Sequence, residues 1–273
     1  MLLATPIVAG RRLLVTGGWY HSAMLVISEY VDIPAGPLPM RMFVARPKEP
    51  GKYPGILCYS DIFQLTGPML RASTRLAGYG FVIAAPEIYH RTEPLGSPIP
   101  FDDAGRTRGL ENAAKTPVAH FDEDRRAALD YLARHPLVAA GKLRAMGFCL
   151  GGHLAFRAAL EPDVRATVCF YGTGIHDGKL GADRDAGSLA RAREIRGKLL
   201  MIFGAVDPHV PAEGRALIDQ KLREAGADYT IKLYPADHAF MRDEGPRYDP
   251  EVTDQAFADM IALFREQGKP AAC

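Results

Sequence analysis

The sequence predicts an α/β fold, a mostly parallel central sheet with helices on both faces. Three observations carry that expectation. Short apolar runs alternate with longer amphipathic runs along the 273 residues, the pattern of strand–helix units laid into one sheet. Several apolar runs, such as "GILC" and "FVIAA", lack polar alternation, as strands covered on both faces do. The polar motifs follow these runs, at the carboxyl ends where such sheets hold their ligands.

Taken in order, "AMLVISEYVDI" and "PMRMFVARP" read as an opening strand pair joined through "PAGPLP". "YPGILCYS" is a buried strand. "PMLRASTRLAGYG" is a helix ended by Gly78 or Gly80, and "FVIAAPEIY" the next buried strand. Residues 90–117 are rich in Gly, Pro and charge and read as a long connection bordering a site. "HFDEDRRAALDYLARHP" is a helix with acids in its first turn, as the macrodipole favours, and not a metal cluster. "KLRAMGFC" is a strand, "LGGHLAFRAAL" a helix and "RATVCFYG" a strand. Residues 172–196 form a second long connection, helical towards its end. "KLLMIFGAVD" (strand), "AEGRALIDQKLREAG" (helix), "YTIKLYP" (strand) and "DPEVTDQAFADMIALFREQG" (helix) complete the chain. The expected organisation is a single domain over 1–273, with residues 1–22 as an N-terminal extension.

With 48% hydrophobic residues the chain can bury a large core. Its 33 basic and 32 acidic residues balance, so no strong field points to nucleic acid or an anionic membrane as a partner. No apolar run reaches the roughly 18 residues of a membrane span. Arg11 and Arg12 interrupt the apolar N-terminus, which argues against a signal peptide. Cys58, Cys149, Cys169 and Cys273 form no C-x-x-C pair, and a reducing, cytoplasmic setting is expected. Oligomeric state is not legible. "YGTGIHDG" misses dinucleotide-loop spacing by one residue.

The chemistry concentrates at Gly147-Phe148-Cys149-Leu150-Gly151. This is the G-x-S-x-G strand-to-helix elbow with cysteine in the serine place. A bend this sharp strains its central residue and brings the flanking positions too close for side chains, hence the glycines. Cys149 would stand at a helix N-terminus, where the attacking thiolate is favoured. The Leu150 N–H would face the oxyanion formed on attack. The triad order of this elbow, nucleophile then acid then histidine, selects Asp207 in "GAVDPH" and His238 in "YPADHAF". His238 would exchange the thiol proton, and Asp207 would hold its ring. His209 reads as a loop residue, His153 as a packing residue and Asp237 as a solvated acid.

"GFCLGGHLAF", "GAVDPHVP" and "HAFMR" together resemble the dienelactone hydrolase (carboxymethylenebutenolidase) family of α/β-hydrolases, over most of the chain. The resemblance implies a Cys–His–Asp hydrolase that opens a small anionic lactone or enol ester through an acyl-enzyme, with no metal or organic cofactor. It implies that Asp61, where the family typically has glutamate, helps set the resting thiol. It implies that the Ile62 N–H is the second oxyanion donor, and that Arg91 and Arg242 clamp the substrate carboxylate. Two alternatives stay open: a general carboxylesterase for neutral esters, and a non-catalytic relative that binds a ligand.

Overall fold

A computed structural model describes residues 24–266. The N-terminal extension expected over 1–22, and Cys273, lie outside the described residues. The predicted sheet forms with eight strands. They are β1 (Val26–Ala35), β2 (Leu38–Pro47), β3 (Tyr53–Tyr59), β4 (Val82–Pro86), β5 (Val138–Phe148), β6 (Val164–Phe170), β7 (Lys198–Gly204) and β8 (Tyr229–Tyr234). Their spatial order is β1-β2-β4-β3-β5-β6-β7-β8. The β1–β2 and β2–β4 pairs are antiparallel, and the remaining pairs are parallel. The opening turn is tighter than expected, because Ala35 already pairs with Leu38. Gly36 takes it at φ +64°, a conformation open to glycine at little cost.

Alternate side chains of each buried strand feed two cores. Leu57 and Tyr59 of β3 enter one, and Ile56 and Cys58 the other, the period-two pattern of a pleated strand. Helices α1 (Gly67–Gly78) and α6 (Pro250–Glu266) cover the second core. Helices α3 (Val118–Arg134), α4 (Leu150–Ala158) and α5 (Ala212–Glu224) cover the first. Arg144, fully buried in β5, donates from Nη2 to the Phe264 carbonyl at 2.7 Å and so ties α6 to the central strand. No helix among the described residues is long and apolar enough to cross a membrane.

Two expectations need correction. Within residues 90–117 lies a helix, α2 (Asp103–Lys115). Its N-cap is legible afterwards: the Asp102 carboxylate accepts the Gly105 N–H at 2.7 Å. Gly105 and Gly109 hid it, since each costs about 1 kcal/mol against alanine in a helix. Close packing explains both. A Cβ would lie 1.9 Å from the Pro100 carbonyl oxygen at Gly105, and 2.4 Å from that of Ile62 at Gly109. The acids of "HFDED" are also not in a first turn, because α3 starts at Val118. They are ion-pair partners instead: Asp122 binds Arg125 and Arg157, and Asp124 binds Arg91.

Candidate active site

β5 runs straight into Cys149, and α4 begins at the next residue. Cys149 takes φ +56° and ψ −119°, a strained conformation that costs about 1–3 kcal/mol and needs external support. Backbone hydrogen bonds supply it. The Cys149 N–H donates to the Phe170 carbonyl at 3.0 Å, and its own carbonyl accepts the N–H groups of Gly152 and Thr173. The glycines are sterically required. A Cβ on Gly147 would lie 2.0 Å from the Gly151 oxygen, one on Gly151 2.2 Å from the Ser60 oxygen, and one on Gly152 2.7 Å from the Gly172 Cα. The other non-glycine residues with positive φ, Gln64, Tyr171 and Ala239, stand near the same end of the sheet. Tyr171 directly follows β6, and Ala239 adjoins His238.

Asp207 lies three residues beyond the end of β7, and His238 four beyond β8. Both are buried, at 3% and 5% exposure. His238 Nδ1 and Asp207 Oδ2 are 2.8 Å apart, and Asp207 Oδ1 accepts the His209 N–H at 2.8 Å. Burial opposes the Asp207 charge, but the His238 hydrogen bond and charge and the His209 N–H still hold this carboxyl below its ordinary value. Burial likewise disfavours the His238 cation. The Cys149 charge and the hydrogen bond to Asp207 outweigh it and push the imidazole up to about 10. The Tyr171 ring meets the His238 ring edge-on at 5.0 Å, which fixes its plane further.

Cys149 and His238 open onto a cavity of about 600 Å³, which Asp61, Ile62, Leu150 and Arg242 also line. Neither the Ile62 nor the Leu150 amide donates to another group among the described residues. Asp61 does not hydrogen-bond the thiol. One oxygen accepts the Phe63 N–H at 2.9 Å, and the other pairs with Arg242. The Arg242 guanidinium lies over the rings of Phe63 and Phe101, 4.9 and 4.4 Å from their centroids.

A family model for the dienelactone hydrolase family matches residues 40–268. The chain belongs to the dienelactone hydrolase family. Membership makes it a hydrolase acting on ester bonds, and the ligand-binding-only alternative falls away. A "Putative carboxymethylenebutenolidase" of Saccharomyces cerevisiae is 37% identical over 84% of this chain and 87% of its own. A "Carboxymethylenebutenolidase" of Pseudomonas sp. (strain P51) is 30% identical over 79% of this chain and 85% of its own. Among solved structures, a "Putative Dienelactone Hydrolase" from Klebsiella pneumoniae superposes with a TM-score of 0.79 at 28% identity, over 89% of this chain and 99% of that one.

Arg91, expected in a substrate clamp, is placed elsewhere and does not line the cavity. Its Nη1 donates to both Asp124 oxygens at 2.6 Å and its Nη2 to Glu123 at 2.7 Å. Two acids of α3 capture the guanidinium and tie it to that helix. His153 is a packing residue as read, buried between the Thr173 carbonyl and the Ser188 hydroxyl. His209 is more than a loop residue: it lines the cavity, with its ring 4.6 Å from that of His238. Phe101, Arg106, Leu110 and Arg247 also line the cavity and were not singled out in the sequence. Nothing in the sequence marks Arg247, and for the first three it signals only that 90–117 borders a site. Which of its side chains turn inward depends on the register of α2. Of residues 172–196, Thr173 alone lines the cavity among those described.

Proposed function

We propose that the protein hydrolyses a small, anionic lactone or enol ester through a thioester on Cys149. One observation carries the reading: Cys149, on a strained elbow, shares its cavity with a His238 ring held by buried Asp207. The Cys149 sulfur attacks the carbonyl carbon, and the Leu150 and Ile62 N–H groups receive the developing oxyanion. As the C–O bond breaks, His238 gives its proton to the departing oxygen, which in a lactone stays attached to the acyl chain.

Acylation removes the Cys149 charge, the strongest of the influences that hold the proton on His238. The imidazole then becomes basic enough to take a proton from water. The new C–O bond forms, the C–S bond breaks, and thiolate and imidazolium are restored. Asp207 keeps the ring in one tautomer and steadies its charge throughout. Cys58, Cys149 and Cys169 are unpaired, which fits a cytoplasmic enzyme.

A second reading, a carboxylesterase for neutral esters, draws on the capture of Arg91 by α3 and of Arg242 by Asp61. Hydrolysis of dienelactone and 4-nitrophenyl acetate by wild type and Cys149→Ala tests the proposal. Loss of both activities in the variant is expected. Equal rates would end the reading, and a wild type active only on the neutral ester would favour the second one.

A further inference from the structure

The positive charges around the cavity differ in what already occupies them. Arg242 pairs with Asp61 and is covered by two aromatic rings. Arg91 is spent on α3. Arg106, from α2, and Arg247, five residues beyond Arg242, line the same cavity as Cys149. The Arg106 guanidinium has no hydrogen bond or ion pair among the described residues. Arg247 has one loose partner among the described residues, Asp237 at 3.9 Å. Both arginines line the cavity together with His209, which burial first, and then the charges of His238, Arg247 and Arg106 against that of Asp207, hold below its ordinary value.

The helix that carries Arg106 is seated against the loop of Ile62. Gly109, one turn further along α2, lets the helix rest directly on the Ile62 carbonyl. Buried Glu93 binds Arg108 and Asn112 and pins the same helix down. Two acids share this wall. Asp102 is engaged as the α2 cap, while Asp103 lines the cavity with no ion pair among the described residues.

We propose that Arg106 and Arg247 form the carboxylate-recognising edge of the cavity. The preferred substrates are then small esters or lactones bearing a carboxylate away from the scissile carbonyl. This rests on the reading that Cys149 cleaves esters, and it adds two arginines to anion recognition in a cavity that Arg242 lines and Arg91 does not. A guanidinium presents paired N–H donors that match a carboxylate. An unpaired one gives up no existing partner when it binds.

The test compares kcat/KM for mono-4-nitrophenyl glutarate and for its neutral methyl ester. Arg106→Ala or Arg247→Ala should lower the anionic-to-neutral ratio about tenfold, through KM, since a hydrogen bond to a charged group contributes about that factor. Arg91→Ala should leave the ratio alone, and Asp103→Asn should raise it. An unchanged ratio in both arginine variants would overturn the inference, as would an equal drop in Arg91→Ala.

Calorimetric titration of glutarate, which has no ester, into Cys149→Ala separates this idea from the one beneath it. Binding weakened by Arg106→Ala in that background supports the subsite, even if neither ester is hydrolysed. Binding indifferent to both arginines overturns it, even if Cys149-dependent hydrolysis is intact.

Discussion

The cavity wall at the carboxyl ends of the strands and the wall built from residues 90–117 are held by different means. Cys149 is fixed by backbone hydrogen bonds to β6 and its following loop, and by glycines that let backbone pass within contact distance of backbone. The α2 wall is fixed by side chains, chiefly Glu93 to Arg108 and Asn112, and by one glycine contact at Ile62. Backbone constraints leave few permitted residues, so the first wall suits an invariant chemistry. A wall carried by side chains can change what it recognises without disturbing the bend that holds the sulfur.

The largest effect should come from the first wall. Asp207→Asn should lower kcat about ten-thousandfold, as freeing the tautomer does in a comparable triad, while far-UV circular dichroism shows the fold retained. A loss under tenfold would mean that the buried carboxylate is structural only, and the two walls would then differ less than described.

An intermediate effect is expected where the walls touch. Gly109→Ala pushes a Cβ into the Ile62 carbonyl, so α2 must lift or the loop of Ile62 must shift. An overpacked contact of this kind costs about 1–3 kcal/mol. We expect a Tm lower by a few degrees and kcat/KM reduced about tenfold for neutral and anionic esters alike. An effect on anionic esters alone would show that α2 moves without disturbing Ile62, sharpening the separation between the walls.

The smallest effect on turnover concerns pH, and it acts through stability. Burial holds His153, beneath the elbow, down to about 3. The unfolded chain takes up this proton near pH 6.5, and the folded chain does not until about 3. Stability is therefore lost as pH falls through that window, by up to about 1.4 kcal/mol per unit. Thermal melts of His153→Gln between pH 7 and 4 should show a shallower decline than wild type. Parallel declines would remove His153 from the account of the elbow.

The two walls also differ in how far the sequence reveals them. Gly147, Gly151 and Cys149 answer to one another within five residues, so the strain that requires the glycines is written locally. Asp207 and His238 follow because chain order and strand ends locate them. The α2 wall is non-local. Gly105 and Gly109 look like helix breakers until Pro100 and Ile62 are seen against them. The fate of Arg91 depends on Glu123 and Asp124, about thirty residues away. Arg106 and Arg247 become neighbours of one cavity only once α2 is in register.

Rapid quenching of wild type with a slowly hydrolysed 4-nitrophenyl ester, followed by peptide mass spectrometry, tests the sulfur itself. An acyl mass is expected on the peptide containing Cys149, formed in a burst and absent from Cys149→Ala. Turnover with that peptide unmodified, or with the acyl group on another residue, would contradict it.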